Sequence, residues 1–253
     1  MSEEYPEKEQ AQLYLVTPPA FELASFAETF QRVLDAAPVA CARLAMATKD
    51  EDQIARAGDA LREICHARDI PLVIESHLIM VERLGLDGVH LTDGARSMRY
   101  ARGELQDEAI IGCFCGTSRH DGLNAGEAGA DYISFGPCGE SALGDGSAAP
   151  QELFQWWSDV VEVPVVAEGA LTANLINALS PFTDFFAIGE EIWNTDDPAG
   201  AFKNWYRPSF DFRVRTHYRN RIINPGIAKL ITFGQMCRDG PPSSCHSSRV
   251  VGP

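Results

Sequence analysis

The chain has no apolar run near the roughly 20 residues that a membrane-spanning helix requires. Its first twelve residues, MSEEYPEKEQAQ, lack the positively charged start of a secretory or mitochondrial leader. Cations are scarce as well: 21 Lys and Arg stand against 36 Asp and Glu, for a net charge of -15. A body of that sign repels nucleic acid and anionic membrane, because phosphate binding draws on lysine and arginine. The paired C-x2-4-C spacing of structural zinc sites is missing. The cysteines that exist (Cys41, Cys65, Cys113, Cys115, Cys138, Cys237 and Cys245) are odd in number and scattered. Reduced thiols in a soluble, cytoplasmic protein are the expectation.

What is present is alternation. A chain of 253 residues, 45% hydrophobic, suits one α/β barrel or two smaller domains. Eight strand-like runs recur: QLYLVT at 12–17, VACARLA at 39–45, PLVIE at 71–75, DGVHL at 87–91, AIIGCF at 109–114, DYISF at 131–135, VPVVA at 163–167 and DFFAI at 184–188. Between them apolar residues fall three or four apart, as in Leu23, Phe26, Phe30, Val33, Leu34 and in Ile54, Ala57, Leu61, Ile64, which is the spacing of an amphipathic helix. Thr48 followed by Glu51 reads as a capping-box start for the second helix. Strands apolar almost throughout, separated by helices, indicate a parallel sheet covered on both faces. Eight units in about 200 residues predict a single closed (β/α)8 TIM barrel of the α/β class. A doubly wound open sheet fits less well, since QLYLVTPPA has prolines where a G-x-G-x-x-G would follow the first strand.

The boundaries follow the charge. Residues 206–253 carry eight Lys/Arg and two Asp/Glu, a net of +6, leaving 13 basic and 34 acidic residues for the rest. The reading is an acidic arm over 1–11, the barrel over 12–205, and a basic extension over 206–253, poorly ordered or adventitious. Trp156, Trp157, Trp193 and Trp205 fall in predicted helices and read as outer-layer packing.

Four segments, LYLVTP (13–18), DGVHL (87–91), GEAGADYISFGP (126–137) and VPVVAEGALTANL (163–175), resemble in order and spacing the thiamine phosphate synthase family, which also includes thiazole tautomerases. The resemblance covers roughly 12–205. It implies a (β/α)8 barrel that joins a pyrimidine diphosphate to a thiazole phosphate, releasing pyrophosphate with Mg2+. Such chemistry needs cations, because charge builds on the departing diphosphate. The family pattern Q-L-R-x-K falls on Arg43, Leu44, Ala45, Met46 and Ala47, so both expected cations are alanine. The magnesium-side residues fall on Glu75 and Ser76 and, after the fourth strand, on Ala95, with Asp93 two residues early; Glu75 and Asp93 are the remaining metal candidates. The serine after strand five falls near Cys115, and the Thr-Ser-Thr-Lys segment after strand six is replaced by CGESALGDGS.

Without lysine or arginine there, phosphate would depend on backbone amides, for which Gly136, Gly139, Gly144 and Gly146 permit a nest. Gly169 and Gly189 remain where relatives grip phosphate, but Glu168, Glu190 and Glu191 stand beside them. Unit charges of like sign 4 Å apart repel by about 4 kcal/mol at an effective dielectric of 20. Glu75, Asp93, Glu168 and Glu190 thus ring one mouth as a site for a cation or cationic ligand, unless they turn aside to pair with Arg43, Arg96 or Arg119. The candidate substrate-binding set is Arg43, Gly136, Gly139, Gly169, Gly189, Glu168 and Glu190. Glu75, Cys115 and His120 are the candidate proton shuttles or catalytic groups.

Function is read two ways: a synthase-like protein of thiamine biosynthesis, or a relative without that reaction, either silent and binding a neutral or cationic heterocycle such as thiamine, or a thiazole tautomerase. The expected partner is a small heterocycle or its phosphate, with no nucleic acid and no membrane; homo-oligomerisation stays open.

Overall fold

The computed structural model describes residues 11–206, so the readings of the acidic arm and the basic extension lie outside it. Eight parallel strands close in sequence order into a barrel: β1 (Gln12–Val16), β2 (Cys41–Leu44), β3 (Leu72–Glu75), β4 (Gly88–Leu91), β5 (Ile110–Phe114), β6 (Tyr132–Phe135), β7 (Val165–Glu168) and β8 (Phe185–Ile188). β1 closes on β8 with Leu13 opposite Phe186. The helices are α1 (Leu23–Leu34), α2 (Glu51–His66), α3 (Leu78–Leu84), α4 (Met98–Glu104), α5 (Arg119–Glu127), α6 (Gln151–Val160), α7 (Ala173–Leu179), α8 (Glu190–Trp193) and α9 (Pro198–Trp205). The (β/α)8 expectation holds, and each strand lies within its sequence run or one residue beyond it.

Two packed layers make the core. Outward side chains such as Leu13, Leu15, Leu44, Ile111, Ile133 and Phe186 meet the apolar helix faces. Phe26, Phe30, Val33 and Leu34 of α1 and Ile54, Ala57 and Leu61 of α2 are buried as their spacing required. The tryptophans belong to this layer: Trp157 is fully buried, and Trp193 Nε1 donates to Val16 O at 2.6 Å. Inward side chains, among them Tyr14, Cys41, Val73, Ile110, Tyr132, Val166 and Phe185, form a second cluster inside the barrel.

The start of α2 differs from the capping box. Asp50 is the N-cap, accepting from Asp52 N and Gln53 N, while Thr48 Oγ1 accepts from Asp50 N at 3.1 Å. A carboxylate at Asp50 satisfies two end-of-helix donors directly, so the threonine two residues earlier is left to shape the approach.

One stitch explains the aspartates that precede alternate strands. Asp87, Asp131 and Asp184 sit just before β4, β6 and β8, and their carboxylates accept from Leu72 N, Ile111 N and Val165 N, each at 2.8 Å. Arg102 joins Asp131 at 2.7 Å. The aspartate of GADYISF therefore ties neighbouring strands at the amino-terminal end, and the opposite end is free for chemistry.

Candidate active site

The upper layer of the barrel interior is polar. Arg43 on β2 is 5% exposed, and its Nη2 donates to Glu168 Oε2 on β7 at 2.8 Å. Its Nε lies 3.6 Å from Glu75 Oε2 on β3, a looser pair. Glu168 is 3% exposed and takes a second donor, Ser134 Oγ of β6, at 3.1 Å. Strand alternation directs these four side chains inward at adjacent levels. Burial is the largest single influence and works against the guanidinium charge, but Glu168, Tyr14, Glu75 and Tyr132 together outweigh it and hold Arg43 firmly protonated. Burial pushes the Glu75 carboxyl above the usual carboxylate range, with Arg43 pulling the other way.

Beneath lies a neutral chain. Tyr14 and Tyr132 share a hydroxyl hydrogen bond at 2.8 Å, and Tyr132 meets His90 Nδ1 at 3.0 Å. Burial raises both phenols and, with Arg43 nearby, drops His90 well below its ordinary range, so the imidazole is neutral. His90 Nε2 and Arg43 Nε are buried without a hydrogen-bond partner among the described residues. Buried polar atoms of that kind cost free energy until something meets them. From the sequence, His90 at a strand end beside the mouth reads as a hydrogen-bonded packing residue more readily than as a metal ligand, and it is buried and bonded in that way.

The sequence-selected residues separate into groups. Arg43, Glu75 and Glu168 come together. Asp93 does not join them; it is exposed and accepts from Ser97 Oγ at 2.6 Å. Glu190 is exposed on α8. His120 is exposed on α5, accepting from Asn124 Nδ2 at 3.0 Å. Cys115 is buried beside Cys113, with the sulfurs 3.8 Å apart, and that contact together with burial raises its thiol pKa. A thiol held protonated is a poor nucleophile. Brief iodoacetamide treatment of native protein at pH 8 is expected to leave Cys115 unmodified by mass spectrometry; labelling within seconds would reveal an activated thiolate instead.

The glycine nest is already engaged. Gly136 N donates to Gly116 O, Cys138 N to Glu168 O and Gly169 O, Gly139 N to Gly169 O, and Gly146 N to Leu143 O. Gly169 has φ +84, a left-handed turn that suits glycine and lets the chain double back over Pro137. Gly189 N donates to Glu191 Oε2 at 2.8 Å. The loop after β6 is thus folded on the end of β7 through these amides.

Magnesium finds no prepared seat. No three His, Cys, Asp or Glu side chains gather for a metal ion among the described residues, and Glu75 and Asp93 are committed to Arg43 and Ser97. A cavity of about 720 Å³ opens off the axis, lined by Asp93, Arg96, Arg99, Cys115 and Asp121 among others. It runs between α4 and α5, and none of Arg43, Glu75, Glu168 or His90 lines it.

A family model described as thiamine monophosphate synthase matches residues 13–188. A thiamine-phosphate synthase of Rhodospirillum centenum is 38% identical over 192 residues, covering 74% of this chain and 91% of that protein. One of Erythrobacter litoralis is 37% identical over 196 residues, covering 75% and 92%. Among solved structures, thiamine phosphate pyrophosphorylase from Pyrococcus furiosus superposes with a TM-score of 0.67 at 20% identity, over 76% of this chain and 92% of that one, a likeness of fold.

Proposed function

Because the chain belongs to the thiamine monophosphate synthase family, we propose that it acts in thiamine biosynthesis, binding a pyrimidine diphosphate and a thiazole at the carboxyl-terminal mouth of the barrel and joining them. The observation that carries this reading is Arg43, a buried guanidinium held tightly by Glu168 and only loosely by Glu75. The loose arm is where an incoming anion competes. In the joining step the bond from pyrimidine to diphosphate breaks with its electron pair on the diphosphate, and the thiazole supplies the pair for the new bond. Arg43 faces the charge that builds on the leaving group. Glu75, partly exposed at the rim and raised in pKa, is suited to donate a proton to it. The tight Arg43–Glu168 arm keeps the guanidinium in place while Glu75 changes charge.

The pH dependence follows from the sign of that shift. Glu75 carries its proton to higher pH than a free glutamate, so lowering the pH neutralises it and releases Arg43 Nε to the diphosphate. Pyrimidine diphosphate binding is expected to tighten by about 10-fold as pH falls through the Glu75 titration, beyond any change in the ligand's own ionisation. Glu75→Gln is expected to remove that share of the dependence and to hold the tighter affinity at pH 8. For folding the sign is the same: the native state holds the proton more firmly, so stability falls as pH rises past the usual carboxylate range.

The test is a single-turnover assay of the full chain with both heterocycles and magnesium, following pyrophosphate release and the joined product. Equal amounts of both are expected. A specific observation favours a second reading, a heterocycle-binding relative without the reaction: Arg43 is flanked by two carboxylates, and Ala45 and Ala47 follow it at the mouth. Binding of both heterocycles with no product would establish that reading and end the first.

A further inference from the structure

The fifth strand ends in a pair of thiols. Cys115 N donates to Ser134 O at 2.9 Å, so the ladder runs one residue past β5, and Cys113 and Cys115, two positions apart, point to the same outer face. Their sulfurs are 3.8 Å apart, and Cys113 Sγ donates to Gly94 O at 2.8 Å. Both side chains are buried, yet Cys115 and Gly94 belong to the wall of the cavity of about 720 Å³ between α4 and α5. Beyond Cys115 the way is open: a β-carbon on Gly116 would meet no atom within 4 Å. The cavity wall carries the carboxylates of Asp93, Asp121, Glu127 and Asp145 against the guanidinium groups of Arg96 and Arg99. An excess of negative charge in a concave surface concentrates cations.

We propose that Cys113 and Cys115 form a binding site for one soft, thiol-seeking cation such as Cu(I), reached through this cavity and separate from the heterocycle site on the barrel axis. The spacing fits a shared ion. Two metal–sulfur bonds of about 2.3 Å meeting at roughly 110–120° hold their sulfurs about 3.8–4.0 Å apart, so the thiols act together without rearrangement. Softness selects the ion, since thiolates favour Cu(I) over a hard cation such as Mg2+. Zinc asks for four ligands, and no third His, Cys, Asp or Glu side chain joins the pair among the described residues. Cu(I) is satisfied by two sulfurs, with a third position left to a ligand from the cavity. On binding, both S–H bonds break and two Cu–S bonds form; the two protons pass to solvent and copper stays in its +1 state. The protonated thiols that resist alkylation are no obstacle, because the metal displaces the proton as it coordinates.

The experiment is anaerobic titration of the full chain with Cu(I) against a coloured Cu(I) chelator, in a background carrying Cys237→Ser and Cys245→Ser that keeps the cysteines of the barrel. One Cu(I) per chain is expected, with two protons released. Cys113→Ala and Cys115→Ala are each expected to weaken binding at least about 100-fold, and Cys138→Ala to leave it unchanged. Copper-edge X-ray absorption of the loaded protein is expected to show two sulfur neighbours, a readout that depends on no variant folding. Binding that survives Cys113→Ala or Cys115→Ala, or that Cys138→Ala removes, would overturn the assignment. So would copper with any number of sulfur neighbours other than two. A chain that takes Cu(I) in this way and binds neither heterocycle would uphold the dithiol site and overturn the reading of the mouth.

Discussion

Replacing Glu168 with leucine is expected to lower the free energy of unfolding by about 3–5 kcal/mol, because it leaves Arg43 charged and without its close partner inside the barrel. The pair is made at 2.8 Å between side chains 7% and 4% exposed, so neither end is compensated by water. Ser134 Oγ loses its acceptor in the same substitution. The remaining carboxylate, Glu75, is 3.6 Å away and nearer to solvent, which makes it a poor substitute. Adding Arg43→Met is expected to return most of the loss, since a buried pair is often matched by apolar residues of similar volume while a single buried charge is not. Urea denaturation of the two single variants and the double variant measures both quantities. A double variant no more stable than Glu168→Leu would mean that the pair is not the source of the effect. On the functional side, the double variant is expected to lose diphosphate binding even though its stability returns, which separates what Arg43 does for the ligand from what Glu168 does for Arg43.

How much of this was legible beforehand differs by level. The eight strands could be read because a parallel barrel buries both faces of each strand, leaving short continuous apolar runs between amphipathic helices. The acidic residues at the strand ends could be read as well, and Arg43 could be named among three arginines able to pair with them, but not which carboxylates it meets. Glu168 stands beside glycines in sequence and looks like a charge that repels phosphate; in the fold it lies against Arg43, 125 positions away. Residue spacing carries no information about which strand ends face each other across the axis. The loop after β6 misled for a related reason: its glycines signal freedom of φ, but not which carbonyls their amides meet, and Gly136, Gly139 and Gly146 all donate within the protein. Glu191 had a signal available, a carboxylate two residues after the glycine at the end of β8, and it was read only as repulsion. The aspartates before β4, β6 and β8 were the most readable feature left unread, since the same residue recurs at the start of three alternate strands.

The second large effect is expected at Gly112, where alanine should cost about 3 kcal/mol and disorder the barrel interior. A β-carbon built at that position overlaps Cζ of Tyr132, whose ring lies across the glycine from the neighbouring strand. The ring cannot move aside cheaply. Its hydroxyl is held by Tyr14 at 2.8 Å and by His90 at 3.0 Å, and it stacks with the His90 ring at a centroid distance of 5.7 Å. Cores packed at crystal density have no empty volume to receive it. Tyr132→Phe is the companion variant: it keeps the ring and removes the hydroxyl, and about 1–3 kcal/mol is expected from the two partners it strands. Thermal unfolding with near-ultraviolet circular dichroism reads both, since the tyrosine environment reports directly on the displaced ring. If Gly112→Ala melts within a degree or two of wild type, the interior has slack that the packing argument denies. If it melts as expected, the glycine inside AIIGCF is there to admit a tyrosine, and the Tyr14–Tyr132–His90 chain is the floor on which Arg43 and its two carboxylates are held at the mouth.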